Sequence, residues 1–204
     1  MPAGASAASL ARFSASVATR NPHKLRELGR LLPGIELDPL PDGLPTPRED
    51  GDTYAANALI KARAAAAATG RTAIADDSGI EAEALGGAPG VRTARFAGER
   101  ATDAENLAKL AAEAPAGTGL RYVCVIAHVE PGGAEHTFDA HATGTVASEP
   151  RGEGGFGYDP LFVPDESDGR TMAEVSDADK DAISHRGRAT RALAAWLRER
   201  EGAS

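Results

Sequence analysis

The stretch Thr72-Ala73-Ile74-Ala75-Asp76-Asp77-Ser78-Gly79 decides how this chain is built. Residues 72–75 are small or apolar and read as a buried strand that delivers two acids and a Ser-Gly turn at its end. Just before it, residues 53–69 are dense in alanine, with an unbroken run at 64–68, and Gly70 supplies a stop. Alanine carries little side-chain entropy into a helix and leaves a small face, so this segment is expected to be a helix that packs closely. Helices and strands that intermix in this way give an α/β class, with a mixed sheet in preference to a purely parallel one.

The pattern extends in both directions. Toward the N-terminus, residues 13–18 read as a short strand, and Thr19-Arg20-Asn21-Pro22-His23-Lys24 as a polar turn. Leu25, Leu28, Leu31 and Leu32 fall at helical spacing, and Pro33-Gly34 stops that helix. Residues 40–51 are rich in Pro, Gly and acids and read as a loop, as do Gly86, Gly87, Pro89 and Gly90. Residues 1–12, which open with Ala, Ser and Gly and lack the basic start and apolar stretch of a secretory signal, are expected to be a disordered tail before a domain spanning 13–200. Toward the C-terminus, Thr102 and Glu105 form a capping box ahead of Leu107 and Leu110. Residues 120–129 and 135–146 flank Pro131-Gly132-Gly133 and read as a hairpin. A glycine-rich loop at 152–157 precedes a short strand at 161–163, and Leu193, Trp196 and Leu197 mark a closing helix.

Composition removes several function classes. The 22 Lys and Arg against 30 Asp and Glu give a net charge of −8, which argues against sequence-independent grip on a nucleic-acid backbone. Hydrophobic residues at 42% exclude a wholly disordered chain, while aromatics at 4% mean a core of Ala, Val, Leu and Ile. A single cysteine, Cys124, excludes an internal disulfide framework and a Cys-based zinc cage. No apolar run approaches the roughly 20 residues that span a bilayer. The expectation is a cytoplasmic, one-domain protein without nucleic-acid or membrane partners.

Among residues that carry chemistry, Gly152, Gly154 and Gly157 satisfy G-x-G-x-x-G, but Tyr158-Asp159-Pro160 follows where a dinucleotide site needs a helix to open. Asp76 and Asp77 are more informative. Successive strand side chains point to opposite faces, so the two carboxylates should have different tasks; alternatively D-D-S-G simply ties off an Asx-turn. Glu49 offers a second carboxylate, and Mg²⁺ needs only one or two besides substrate phosphates. Lys24 lies beside Asn21 in a strand-to-helix turn, where free backbone N–H groups suit a phosphate. Lys61 lies within an otherwise apolar helix, where a lone Lys more often snorkels to solvent. Lys180 with Ser184-His185-Arg186 is either a solvated helix junction or a reader of a base, since Arg presents only donors. His128, His136 and His141 read as strand residues, not metal ligands.

These pieces occur together in a telling order. The 19–24 turn, Glu49-Asp50-Gly51 leading to Asn57-Ala58-Leu59-Ile60-Lys61-Ala62, Ala75-Asp76-Asp77-Ser78-Gly79, Gly86-Gly87-Ala88-Pro89-Gly90, Gly154-Gly155-Phe156-Gly157-Tyr158-Asp159-Pro160 and Ile183-Ser184-His185-Arg186-Gly187 together resemble the inosine triphosphate pyrophosphatase family, over roughly residues 16–198. The resemblance implies hydrolysis of ITP, dITP and XTP to the monophosphate and pyrophosphate, dependent on Mg²⁺, by a homodimer that cleanses the nucleotide pool. It also implies a two-lobed α/β fold on a long mixed sheet with the active cleft between lobes. By the same resemblance, Asp77 matches the general base and a metal position, and Glu49 the other metal carboxylate. Thr19, Arg20, Asn21, Pro22, His23 and Lys24 match the triphosphate turn, Lys61 a phosphate-facing lysine and Ser78 a substrate contact. Phe156, Gly157, Tyr158, Asp159, Lys180, His185 and Arg186 match positions around the base. Two positions depart from the pattern: Arg20 stands where many relatives carry a small residue, and Ala56 replaces an acid often found before the Asn-Ala pair.

On this reading Asp77 takes a proton from a water aimed at the α-phosphorus, while Lys24 and Lys61 hold the phosphates. Phe156 stacks on the ring, and Arg186 favours the carbonyl at carbon 6 of hypoxanthine or xanthine over the amino group of adenine. Two rivals stand beside it. One is a nucleotide-binding regulator without turnover; the other is an esterase with Ser78 as nucleophile and His185 as base, although D-S-G is not the G-x-S-x-G elbow.

Overall fold

The computed structural model describes residues 13–202, so the tail expected at 1–12 lies outside the described residues. The chain begins with strand β1 (Ser14–Val17), helix α1 (Pro22–Leu31), strand β2 (Glu36–Pro39) and the alanine-rich helix α2 (Tyr54–Thr69). Strand β3 (Ala73–Ala82) leads through two 3₁₀ turns, Glu83–Leu85 and Gly90–Arg95, to helix α3 (Asp103–Glu113). The long hairpin of β4 (Gly119–Val129) and β5 (Glu135–Val146) follows, then β6 (Phe162–Pro164), α4 (Asp177–Ile183) and α5 (His185–Gly202). One six-stranded sheet results, in the order β2-β1-β3-β4-β5-β6. It is mixed: β1 pairs in parallel with β2 and β3, whereas every pairing from β3 to β6 is antiparallel.

Local signals act where their chemistry requires. Asn21 caps α1, with its Oδ1 accepting the His23 and Lys24 N–H groups, and Pro22 sits at the start, where a missing N–H costs nothing. Thr53 caps α2, and Gly70 ends it in the left-handed conformation at φ 64°. The Thr102–Glu105 capping box is complete. The 152–157 loop runs on into β6 with no helix opening after it, as the rejection of a dinucleotide fingerprint required.

The central strand corrects one expectation. β3 does not stop at Ala75; it pairs with β4 along its whole length, from Ala73 opposite Val129 to Ala82 opposite Leu120. Asp76, Asp77 and Ser78 therefore sit within the strand, opposite Ile126, Val125 and Cys124, and the Asx-turn reading falls. Two elements carried too little signal to be anticipated. β2 is a four-residue edge strand ending in Pro39, and α4 is a seven-residue helix capped by the Ser176 hydroxyl.

Alternation along β3 divides the core. Ile74 faces a cluster with Ala15, Val17, Leu28, Ile126 and Leu193 beneath α1 and α5. Ala73 and Ala75 face the other way, against Ala58, Ala62, Ala65 and Ala66 of α2. Both surfaces there are alanine, so enlarging Ala62 would overpack them, typically at about 1–3 kcal/mol. A third cluster, with Ile80, Leu110, Leu120, Tyr122, Tyr158 and Phe162, forms the second lobe around the antiparallel part of the sheet.

Candidate active site

The site grows from the two faces of β3. On the α2 face, Asp77 Oδ1 accepts from Lys61 Nζ at 2.8 Å, and the same ammonium donates to Glu49 Oε2 at 3.1 Å. Lys61 thus does not snorkel: its side chain keeps only 11% of its exposure. Burial pulls its pKa down, but Asp77, Asp76 and Glu49 outweigh that and leave it raised, so the ammonium stays charged. Burial also pushes the Asp77 carboxyl up, more than Lys61 draws it down. Glu49 is placed by the turn into α2, where Asn57 Oδ1 accepts the Gly51 N–H at 2.9 Å. A Cβ at Gly51 would lie 2.8 Å from that oxygen and 2.7 Å from Ala56 Cβ, so only glycine leaves this approach open.

On the α1 and α5 face, Asp76 Oδ2 meets Lys24 Nζ at 3.0 Å and the Arg186 guanidinium at 3.1 Å. Burial raises the Asp76 pKa, yet Lys24, Arg186 and Lys61 together drive it far below the usual carboxylate range. The adjacent acids are therefore unlike: one is locked as an ion, the other has its charge disfavoured. Lys24 rides on the first turn of α1. The Asn21, His23 and Lys24 N–H groups are taken by the side chains of Thr19 and Asn21. The expectation of free backbone donors in this turn narrows to Thr19 and Arg20, because the cap that forms the helix uses the other three.

Beyond Asp76 lies a buried chain of ion pairs. Arg186 donates to Asp76, to Glu27 Oε2 at 2.5 Å and to the Ser78 hydroxyl at 2.9 Å. Lys180 Nζ meets Glu27 Oε1 at 2.7 Å and Asp159 Oδ2 at 2.6 Å. Burial raises the Glu27 pKa, and Arg186 and Lys180 bring it down below its ordinary value. This replaces the reading of 180–186 as a solvated junction, since Lys180, Ser184, His185 and Arg186 are all buried. Four of the five Arg186 N–H groups are engaged, and Lys180 has two partners for three donors, so each keeps a donor in reserve.

Asp159 links this chain to the glycine loop. Its Oδ2 accepts the Phe156 N–H at 2.8 Å and its Oδ1 the Tyr122 hydroxyl at 3.2 Å. A Cβ at Gly155, whose φ is 69°, would fall 2.1 Å from that Oδ2. The Phe156 ring stacks on His23 at 5.0 Å, with Lys180 Nζ 4.9 Å and the Arg186 guanidinium 5.6 Å from its centre. His185 lies flat on Tyr122 at 4.4 Å; burial, Arg186 and Lys180 hold it well below its ordinary pKa and therefore neutral. The Ser78 hydroxyl contacts Asp76 and Arg186, and among the described residues it has no hydrogen bond to His185, so the esterase pairing is not formed.

Two cavities meet here. The larger, about 540 Å³, is lined by Thr19, Arg20, Glu49, Lys61, Asp77 and Arg95 among others. The smaller, about 120 Å³, is lined by Phe156, Gly157, Tyr158, Asp159, Lys180, His185 and Arg186. Asn21, Lys24 and Ser78 belong to both. His23 joins through its stack on Phe156, and Pro22 contributes only the start of α1. A divalent cation fits the donor set. Glu49 and Asp77 bring two carboxylates to one positive centre, now the Lys61 ammonium, and such ions take their other oxygens from water and phosphate. Glu27 and Arg95 escaped the sequence reading. Glu27 sits between Arg26 and Leu28 and reads as one more charge on a helix surface, although its position four residues before Leu31 places it at the edge of the apolar face.

The chain resembles known proteins over most of its length. The model of the Ham1 family matches residues 15–196. A dITP/XTP pyrophosphatase of Frankia alni is 48% identical over 196 residues, covering 90% of this chain and 96% of that protein. One from Geobacter sulfurreducens is 47% identical over 182 residues, covering 85% and 90%. Among solved structures, a HAM1 protein from Coxiella burnetii superposes with a TM-score of 0.82 at 41% identity, over 92% of this chain and 99% of that one. With the family model spanning most of the chain and such relatives matching nearly end to end, the chain belongs to the Ham1 family.

Proposed function

We propose that the protein hydrolyses purine nucleoside triphosphates carrying a carbonyl at carbon 6 (ITP, dITP and XTP) to the monophosphate and pyrophosphate. The observation that carries this is the junction of the two cavities at Asn21, Lys24 and Ser78. One cavity offers cations and two carboxylates, and the other an aromatic face beneath buried cations, which is the division of a nucleotide into triphosphate and base. The relatives named dITP/XTP pyrophosphatases support the same substrates.

Glu49 and Asp77 would hold Mg²⁺, which, when bound, neutralises charge on the phosphates. Asp77, with its pKa raised by burial, accepts the proton of a water as its oxygen bonds to the α-phosphorus. The bond from that phosphorus to the bridging oxygen breaks, and its electron pair leaves with pyrophosphate. Lys61 and Lys24 hold the phosphates in line, and their burial shields them from salt. On the other side, the reserve donors of Arg186 and Lys180 meet the purine carbonyl, and Phe156 stacks on the ring. An amino group in that place leaves a buried donor unpaired, at a cost of about 1–3 kcal/mol. The same reading makes the protein a cytoplasmic homodimer acting on free nucleotides. Among the described residues, no helix is long and apolar enough to cross a membrane.

Pyrophosphate release across ITP, dITP, XTP, ATP and GTP, with and without Mg²⁺, tests the proposal. Turnover of the first three with Mg²⁺, well above ATP and GTP, is expected. Binding of ITP without pyrophosphate release would favour a regulator, and a diphosphate with orthophosphate would place the cut at the wrong bond.

A further inference from the structure

The larger cavity has a cation that neither the sequence pattern nor the mechanism above employs. Arg95 closes the 3₁₀ turn Gly90–Arg95 and reaches the wall of the cavity that holds Glu49, Lys61 and Asp77. The turn is pinned. A Cβ at Gly79 would fall 2.5 Å from Thr93 Oγ1 and 2.6 Å from the Gly90 carbonyl oxygen, so a glycine in β3 is what lets it dock. Thr93 Oγ1 accepts the Ile80 N–H at 2.9 Å and donates to the Gly90 carbonyl at 2.6 Å. The Tyr158 hydroxyl donates to the Thr93 carbonyl at 2.8 Å, tying the same turn to the glycine loop. Arg95 is therefore carried on a fixed element, not a loose loop.

Its guanidinium is also only weakly engaged. Lys24 is matched by Asp76, Lys61 by Glu49 and Asp77, and Arg20 is held by the Leu44 carbonyl. The Arg95 side chain has only a 3.8 Å approach to Glu99, whose side chain is 86% exposed, and that side chain donates no hydrogen bond among the described residues. With Lys24 matched by Asp76, the wall sets Arg20, Lys61 and Arg95 against Glu49 and Asp77, leaving one positive charge on a chain whose net charge is −8. An acidic protein attracts an anion only through such a local excess. A planar guanidinium with free N–H groups matches two phosphate oxygens at once, which an ammonium does not.

Resting on the functional reading above, we propose that Arg95 is a further catalytic residue, binding the pyrophosphate half of the substrate and stabilising it as leaving group. When the bond between the α-phosphorus and the bridging oxygen breaks, the electron pair passes to pyrophosphate, and Arg95 meets the charge that builds there. Nothing covalent forms at Arg95, and its proton count does not change.

The test uses the full chain with Arg95→Ala and Arg95→Lys, measuring ITP turnover and product inhibition by pyrophosphate and by inosine monophosphate separately. Arg95→Ala is expected to lower kcat/KM by about 10²-fold, the usual effect of losing one donor to developing charge. The inhibition constant for pyrophosphate should rise by about tenfold or more while that for the monophosphate stays within about twofold, and Arg95→Lys should recover part of both losses. A structural role would weaken both products together. An unchanged pyrophosphate constant, or equal weakening of both products, overturns the assignment even where the parent is fully active. A parent that releases no pyrophosphate from any of the triphosphates instead defeats the functional reading, and the assignment with it.

Discussion

The two halves of the cleft solve opposite problems with the same residue types. From Lys24 at the junction into the base half, Lys24, Asp76, Arg186, Glu27, Lys180 and Asp159 form an unbroken chain of ion pairs with three charges of each sign. In the phosphate half, Lys61 serves two carboxylates, burial opposes the charge on Asp77, and Arg20 and Arg95 stand at the wall. A balanced network fixes geometry, which suits the reading of a flat, nearly neutral base. An unbalanced one is completed by what enters, which suits a triphosphate and its metal ion. Stability should therefore reside in the first half and rate in the second.

The sharpest way to break this contrast is Asp77→Asn. Removing a general base costs about 10²–10⁴-fold in rate, and a loss of about 10³-fold in pyrophosphate release is expected, with nucleotide affinity largely retained. Folding should hardly notice: because burial raises the Asp77 pKa, its ionised form already opposes the folded state near neutrality. A unfolding free energy within about 1 kcal/mol of the parent is expected in urea titrations. Retained turnover would remove Asp77 from the role of base.

Glu27→Ala is the converse. Breaking a buried charge pair by deleting one partner costs about 3–5 kcal/mol, because Lys180 and Arg186 are left buried without it. The sign with pH is also fixed. The Glu27 carboxyl titrates below its ordinary 4.5, so its stabilisation is present above that pH and is lost as pH falls through the lower folded value. The gap between parent and variant in urea midpoint should thus be widest near neutrality and narrow below about pH 4.5. A gap that stays constant into acid would mean that Glu27 acts by packing, not by charge.

The same contrast explains what could be read without coordinates. The division of labour between Asp76 and Asp77 follows from the two-residue period of a strand and needs no neighbours, so it was legible. The length of β3 was not, because Ser78 and Gly79 belong locally to turns and only the ladder with β4, some 45 residues later, holds them extended. The phosphate half announced itself through Asn21, Lys24 and Lys61, whose positions stand out against turns and apolar runs. Glu27 stayed hidden because its partners, Lys180 and Arg186, lie more than 150 residues away, and an acid on a helix is ordinarily solvated. Arg95 stayed hidden for a related reason: its role depends on Gly79 admitting the turn that carries it.

The smallest effect should come from Arg20→Ala. Arg20 is exposed at the wall of the larger cavity and tethered to the Leu44 carbonyl, so it can draw an anion inward but is poorly shielded from solvent. Exposed charges contribute about 0.2–1 kcal/mol, equivalent to a rise in KM of no more than about fivefold, with kcat and the preference for ITP over ATP unchanged. Salt separates the wall from the floor. Raising ionic strength from 0.1 M toward 1 M shortens the screening length from about 10 Å to about 3 Å, so parent and Arg20→Ala should converge in KM. Lys61, at 11% exposure between Glu49 and Asp77, should keep its effect under the same change, and Lys61→Met should remain impaired at high salt. If both differences disappear with salt, the floor is as wet as the mouth, and the contrast between a steering rim and a shielded reaction centre is lost.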